Sequence, residues 1–129
     1  MTDDRTLHHV VIDCRDPAAL AAFYADLIGV PIVWQEEDWV VIATNDRSSG
    51  IAFQLAPDHQ PPQWPDPDHQ QQLHLDIMVD DIEVAEPQVL ELGARRLSRG
   101  KRVYADPQGH TFCLIRRPEW AAPVGDKRG

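Results

Sequence analysis

The stretch GHTFCL, residues 109–114, repeats the pattern of an earlier stretch, GIAFQL, residues 50–55. Both read Gly-x-x-Phe-x-Leu, and their alternation of apolar residues predicts two β-strands. Side chains alternate between the two faces of a strand, so Gln54 and Cys113 point away from the neighbouring Phe and Leu. Both are residue types that can bind a metal ion. The repeat therefore predicts two copies of one unit, each ending in a strand that carries a candidate metal ligand.

The repeat extends back to the first predicted strand of each half, which contains a histidine, His9 in one half and His74 in the other. Each histidine precedes an aspartate suited to cap a helix N-terminus, Asp16 or Asp81. Because side chains alternate along a strand, the two histidines are predicted to lie on the sheet face that also carries the ligand candidates of the last strands. The opposite, apolar face is predicted to pack against helices.

Each half is predicted to contain one strand, one helix and then three strands. The helices are predicted over 18–28 and 82–92, and Pro87 should kink or delay the second. The strands are predicted near 7–12, 31–35, 39–43, 51–56, 73–79, 95–97, 102–105 and 111–116.

A chain of 129 residues is about one domain's worth, so we expect a single domain over residues 1–129. Within it we expect a first module at 6–56, a second at 72–117 and a loose tail at 118–129. The segment 57–71 between the modules is rich in Pro, Asp and Gln, which is typical of an exposed linker.

Charge and composition exclude several classes of partner. The net charge of −9 would repel phosphate backbones, so nucleic acid is not an expected partner. No apolar run approaches the roughly 20 residues that span a bilayer, and the N-terminus lacks the pattern of a secretion signal. We therefore expect no membrane partner and a cytoplasmic location. Cys14 and Cys113 are too few for the disulfide frame of a small secreted domain and are expected to be reduced.

The βαβββ repeat, the histidine-bearing first strands, the turn DPQGH at 106–110 and the paired Gly-x-x-Phe-x-Leu strands together resemble the vicinal oxygen chelate superfamily. This superfamily includes glyoxalase I, fosfomycin-resistance transferases, extradiol dioxygenases and bleomycin-resistance proteins. The resemblance covers about 7–116. It implies an α+β fold in which two βαβββ modules form a curved mixed sheet around a cleft. It does not select one reaction, because such relatives catalyse different reactions or none.

The resemblance also implies a metal site built from the first and last strands of each module. Carried over residue by residue, the ligand positions are His9 and Gln54 in the first module and His74 and Cys113 in the second. Both histidines match the family's pattern, whereas the carboxylates usual on the last strands are missing. A thiolate beside two imidazoles favours zinc, so zinc is the divalent metal we expect if one is bound. A site without any metal fits the sequence equally well.

A missing carboxylate could come from a different strand. Asp13 and Asp76 are predicted to lie on the ligand face, and either could act as the catalytic base. Further candidates, for the lining of a ligand cleft, are Trp34, Trp39, Met78 and Tyr104.

Three functions are compatible with these residues. The first is a metal-dependent lyase or isomerase of the glyoxalase type that acts on a small organic molecule. The alternative is a metal-free protein, similar to the bleomycin-resistance branch, that binds and sequesters a small molecule. The third is a structural module whose cleft has no ligand. Since relatives commonly pair, we also expect a homodimer.

Overall fold

The computed structural model describes residues 4–98 and 100–124. These residues form the α+β architecture expected from the sequence, two βαβββ modules that each combine one helix with a four-stranded mixed sheet. The chain divides into two compact units, the first ending at His59 and the second starting at Gln60. This boundary falls inside the predicted linker. The organisation as a single domain stays a prediction, and residues 125–129 of the predicted tail lie outside the described residues.

The first unit contains β1 (His9–Cys14), α1 (Pro17–Ile28), β2 (Ile32–Gln35), β3 (Trp39–Ile42) and β4 (Gly50–Leu55). Its strands follow the order β1-β4-β3-β2 in the sheet. The first and last strands, β1 and β4, are parallel neighbours, whereas the other pairings are antiparallel. The two strands predicted to carry metal ligands therefore lie side by side.

Helix α1 is bounded by the residues that the sequence indicates. The Asp16 side chain accepts a hydrogen bond of 3.1 Å from a backbone N–H of the first turn, and Pro17 begins the helix where no backbone donor is needed. Gly29 ends the helix at φ 81°, a left-handed conformation that suits glycine. The helix packs on β3 and β4, where Tyr24 stacks on Phe53 with ring centroids 5.7 Å apart. These contacts fix which face of the sheet is free of the helix.

The second unit contains β5 (Leu75–Val79), α2 (Ile82–Glu91), β6 (Arg95–Arg96), β7 (Val103–Ala105) and β8 (Thr111–Arg116). Its strand order, β5-β8-β7-β6, repeats that of the first unit. Again the first and last strands are parallel neighbours. The first and last strands of the module's sequence thus lie side by side, with β5 at the edge of the sheet.

Helix α2 starts at the predicted cap, Asp81, whose carboxylate accepts hydrogen bonds from the backbone N–H groups of Glu83 and Val84. Pro87 lies inside this helix, which continues to Glu91. The loss of one backbone donor therefore does not end the helix there. Within the described residues, no helix is long and apolar enough to cross a membrane.

Tyr104, a candidate for the ligand cleft, belongs to the core of the second unit. In the antiparallel pairing of β7 with β8 it lies opposite Phe112, so the two side chains share one face of the sheet. Its ring is fully buried, at 0% exposure, and stacks on Phe112 with centroids 5.5 Å apart. The alternation along β7 thus directs Tyr104 away from the face that carries Asp76 and Cys113.

Candidate functional site

Three side chains of the second unit, His74, Asp76 and Cys113, form a cluster suited to a metal ion. One ligand atom of each lies within 4.8 Å of the ligand atoms of the other two, and His74 Nε2 lies 3.5 Å from Asp76 Oδ1. Imidazole nitrogen, carboxylate oxygen and thiolate sulfur are all ligands that zinc accepts in four-coordinate sites. The donor set therefore fits zinc, with one coordination position left for water or substrate.

Strand pairing brings this cluster together. In the parallel pair of β5 and β8, Asp76 lies directly opposite Cys113. His74 stands two positions before Asp76, so it shares that face. Met78, a candidate for the ligand cleft, follows on the same face opposite Ile115. The module thus supplies a carboxylate from its first strand, whereas the family pattern places one on the last strand.

The cluster is accessible to solvent, but its thiol is not activated. The side chains of His74 and Asp76 are 41% and 51% exposed, whereas Cys113 is half-buried. Burial raises the pKa of the Cys113 thiol, and the negative charge of Asp76 raises it further. The thiol on its own is therefore protonated at neutral pH, and only a nearby cation would favour the thiolate.

The side-chain amide of Gln71 connects the cluster to β8. Its Oε1 accepts a hydrogen bond from the Thr111 hydroxyl, and its Nε2 lies 3.3 Å from His74 Nδ1. No sequence pattern had indicated this residue, because it is the last residue of the predicted linker and lies between two other glutamines. Its contacts follow from the pairing of β5 with β8, which places the chain before His74 beside the start of β8.

In the first unit, the structure separates His9 from Gln54. His9 lies opposite Gly50 in the pairing of β1 with β4, whereas Gln54 lies opposite Asp13. The two positions are four residues apart along the strands, or about 13 Å. His9 and Gln54 therefore do not form the pair of ligands that the resemblance implied.

The ring of His9 is also engaged by the backbone. Its Nδ1 accepts a hydrogen bond of 3.0 Å from the N–H of Gly50, which places the proton of the neutral ring on Nε2. Burial, and after it the neighbouring His8, lower the pKa of His9. With one ring nitrogen bonded to a donor and the other carrying the proton, this ring is not oriented to bind a metal ion.

Aligned on their histidines, the two modules match Cys113 with Ala52 and not with Gln54. On β8, Cys113 lies two residues beyond the position opposite His74, and on β4 the residue two beyond the position opposite His9 is Ala52. Ala52 is fully buried and has no side-chain donor atom. The first unit therefore lacks a ligand at the position where the second unit has its thiol.

The first unit carries a different row of side chains on this face. Trp39, Gln54 and Asp13 lie side by side across three neighbouring strands. Trp34 lies opposite Val41, two positions along β3 from Trp39, and so shares their face. The Trp34 side chain is well exposed, at 59%. Two tryptophans, an amide and a carboxylate on one surface are suited to contact an aromatic or polar small molecule.

Solved structures of several proteins share this fold. An enzyme of the glyoxalase/bleomycin resistance protein/dioxygenase family from Burkholderia phytofirmans PsJN matches with a TM-score of 0.68 and 18% identity, covering 87% of this chain and 98% of that one. The trypanothione-dependent glyoxalase I of Leishmania major matches with a TM-score of 0.62 and 15% identity, covering 88% of this chain and 87% of that one. A bleomycin-binding protein in complex with bleomycin matches with a TM-score of 0.53 and 20% identity, covering 88% of this chain and 99% of that one. At these identities the likeness establishes the fold alone.

The sequence also matches a known protein family. No curated protein matches it, but a family model described as a glyoxalase-like domain matches residues 9–115. The matched region runs from the first strand of the first module almost to the end of the last strand of the second. The chain therefore belongs to the glyoxalase-like domain family, within the vicinal oxygen chelate superfamily.

Proposed function

We propose that the chain is a zinc-assisted enzyme of the glyoxalase type, a lyase or isomerase that acts on a small organic molecule with two neighbouring oxygen atoms. The observation that carries the proposal is the cluster of His74, Asp76 and Cys113. A carboxylate and a thiolate would balance the two positive charges of zinc, and the imidazole is neutral. When bound, zinc acts as a Lewis acid that polarises a substrate carbonyl.

The residues of the cluster take different roles in this proposal. His74 and Cys113 hold the metal through nitrogen and sulfur, and Asp76 supplies the carboxylate. One Asp76 oxygen would bind the metal, and the other would accept a proton from a substrate carbon next to a carbonyl. Asp13, the other candidate base, lies opposite Gln54 in the first unit. We therefore assign the proton-accepting role to Asp76.

Zinc binding by purified protein without a histidine tag tests the site directly. We expect one zinc ion per chain by competition with a chromophoric chelator. The single variants His74→Ala, Asp76→Ala and Cys113→Ala should each weaken binding at least about tenfold. Asp13→Ala is the matched control, because it removes an exposed strand carboxylate outside the cluster, and should leave the affinity unchanged. Absence of zinc binding by the unsubstituted protein would contradict the proposal.

Proton exchange tests the chemistry. With zinc at saturation, the protein should exchange the C–H proton of an α-hydroxy ketone with D₂O, as followed by proton NMR. Asp76→Asn should abolish this exchange even when enough zinc is added to fill the site, because an amide cannot accept the proton. Equal exchange by this variant would show that another group is the base.

A metal-free binding function is the second candidate, and the row of Trp39, Gln54 and Asp13 with the exposed Trp34 favours it. The similarity to a protein solved in complex with bleomycin suggests a probe. Under this alternative, metal-free bleomycin should quench the tryptophan fluorescence, and Trp34→Ala should weaken binding. Zinc should have no effect on that affinity. Binding that needs zinc would instead support the enzyme.

For either function the expected partner is a small molecule, and a homodimer remains our prediction for the assembly. Light scattering at high micromolar concentration measures the mass directly. A monomer mass there would contradict the prediction.

A further inference from the structure

The two ring nitrogens of His74 face different neighbours. Nε2 faces Asp76 Oδ1 at 3.5 Å, on the side of the cluster, and Nδ1 faces Gln71 Nε2 at 3.3 Å. A histidine binds a metal through a nitrogen that carries no proton, so the neutral ring must then carry its proton on the other nitrogen. For zinc to bind at Nε2, the Nδ1 proton needs an acceptor.

We infer that Gln71 is a positioning residue for the ligand His74: its amide oxygen accepts the Nδ1 proton and so presents an unprotonated Nε2 to the metal. This inference rests on the proposed zinc site. In the arrangement described above, the amide nitrogen faces Nδ1, which suits the ring with its proton on Nε2. A half-turn of the amide exchanges the two atoms and suits the ring that binds metal.

Thr111 makes both arrangements of the amide acceptable. Its hydroxyl donates to Gln71 Oε1, but a hydroxyl can also accept a hydrogen bond from an amide nitrogen. Thr111 is buried, at 4% exposure, so its strand position holds the amide beside His74 in either orientation. Gln71 can therefore hydrogen-bond to Nδ1 of His74 both before and after metal binding. A side chain that can only accept hydrogen bonds would favour the ring that carries its proton on Nδ1.

Two substitutions at Gln71 should change zinc affinity in opposite directions. Gln71→Glu provides only acceptor atoms, so it should fix the proton on Nδ1 and raise the affinity about tenfold, as carboxylates that orient zinc-binding histidines do. Gln71→Met has a similar length but no acceptor for the Nδ1 proton, and should lower the affinity about tenfold or more. A purely structural role would predict a loss in both variants.

The added negative charge of Gln71→Glu needs its own control. Gln72→Glu places the same charge on the adjacent, exposed residue and should raise zinc affinity much less. Equal gains from the two glutamates would show an effect of charge alone and would overturn the inference. So would unchanged affinity in Gln71→Met.

A measurement on the metal-free protein separates this inference from the zinc proposal. Nitrogen NMR of ¹⁵N-labelled histidine, recorded at about pH 8 where an ordinary imidazole is neutral, reports which ring nitrogen of His74 carries the proton. Gln71→Glu should move the proton of His74 towards Nδ1, and Gln72→Glu should not. If His74 shows the same proton distribution in the unsubstituted protein and in both Gln71 variants, the inference is wrong whatever the zinc affinity. If the distribution shifts as expected but no variant binds zinc, the inference on His74 holds and the proposed function fails.

Discussion

Asp76 lies directly opposite Cys113 in the parallel pairing of β5 with β8. Without a cation, burial raises the pKa of Cys113, and the negative charge of this carboxylate raises it further. With a divalent cation between them, the same two groups become co-ligands whose negative charges are balanced. The reactivity of Cys113 therefore reports on its neighbour and on the metal.

Replacing Asp76→Asn should increase the rate at which Cys113 reacts with iodoacetamide at neutral pH. Only the thiolate reacts, and removal of the opposing charge lowers the pKa of the thiol. We expect the alkylation rate to increase roughly threefold, because the substitution removes one negative charge near the thiol that solvent partly screens. Mass spectrometry of the peptide that contains Cys113 measures the rate separately from Cys14, which is fully buried.

Asp13→Asn is the matched control for this rate. Asp13 is likewise an exposed carboxylate on the first strand of its unit, but it lies opposite Gln54, which has no thiol. It should leave the alkylation rate unchanged. Equal rates in the unsubstituted protein and in Asp76→Asn would mean that burial alone sets the pKa of Cys113.

Zinc affinity should rise with pH across the range from about 7 to 9. Burial and the negative charge of Asp76 hold the pKa of the Cys113 thiol above its ordinary value, so zinc must displace the thiol proton when it binds. Each unit of pH then increases the apparent affinity about tenfold. Chelator competition at several pH values measures how steeply zinc affinity rises with pH. Cys113→Ala should remove most of this pH dependence. A zinc affinity that does not change with pH in the unsubstituted protein would exclude the thiol as a ligand.

The sequence predicts the fold well because the signals that define it are local. Asp16 and Gly29 bound the first helix through their own hydrogen bond and backbone conformation, and Asp81 caps the second. The face on which a side chain lies follows from the alternation along its strand. A shift of the strand pairing by two residues leaves that face unchanged. The prediction that Asp76 lies on the same sheet face as Cys113 therefore agrees with the strand pairing.

The pairing register is not local, and there the sequence misled. Gly50 and Gly109 occupy the same place in the repeated pattern, but Gly50 is a strand residue and Gly109 lies in a turn at φ 97°. Equivalent residues of the repeated pattern are therefore paired with the first strand in a different register in each module. This shift of two residues separates His9 from Gln54, and no single-sequence pattern indicates it.

Glu86 should contribute to the stability of the second unit. Its carboxylate accepts hydrogen bonds from Arg96, at 3.2 Å, and from Arg102, and its side chain is only 13% exposed. Glu86→Ala removes this shared acceptor from two arginines and should lower the free energy of unfolding by about 1–3 kcal/mol. Urea unfolding measures the change. Glu91→Ala, on the same helix but exposed, should change it by less than about 0.5 kcal/mol, and equal effects of the two substitutions would contradict the role of Glu86.

Cys113→Glu should change which metal the cluster prefers. The substitution replaces a soft sulfur by a carboxylate beside His74 and Asp76, and oxygen ligands favour manganese and nickel relative to zinc. We expect manganese affinity to rise about tenfold and zinc affinity to fall, as measured by competition titration of the metal-free protein.

Ile115→Glu is the control for this change of preference. Ile115 stands on the same strand and the same face as Cys113, but opposite Met78, one pair further from His74. It adds the same charge without adding a ligand to the cluster, so the ratio of manganese to zinc affinity should stay as in the unsubstituted protein. If both substitutions change that ratio equally, surface charge rather than coordination determines the preference. If neither changes it, Cys113 does not face the metal, and the cluster of three residues is not the site.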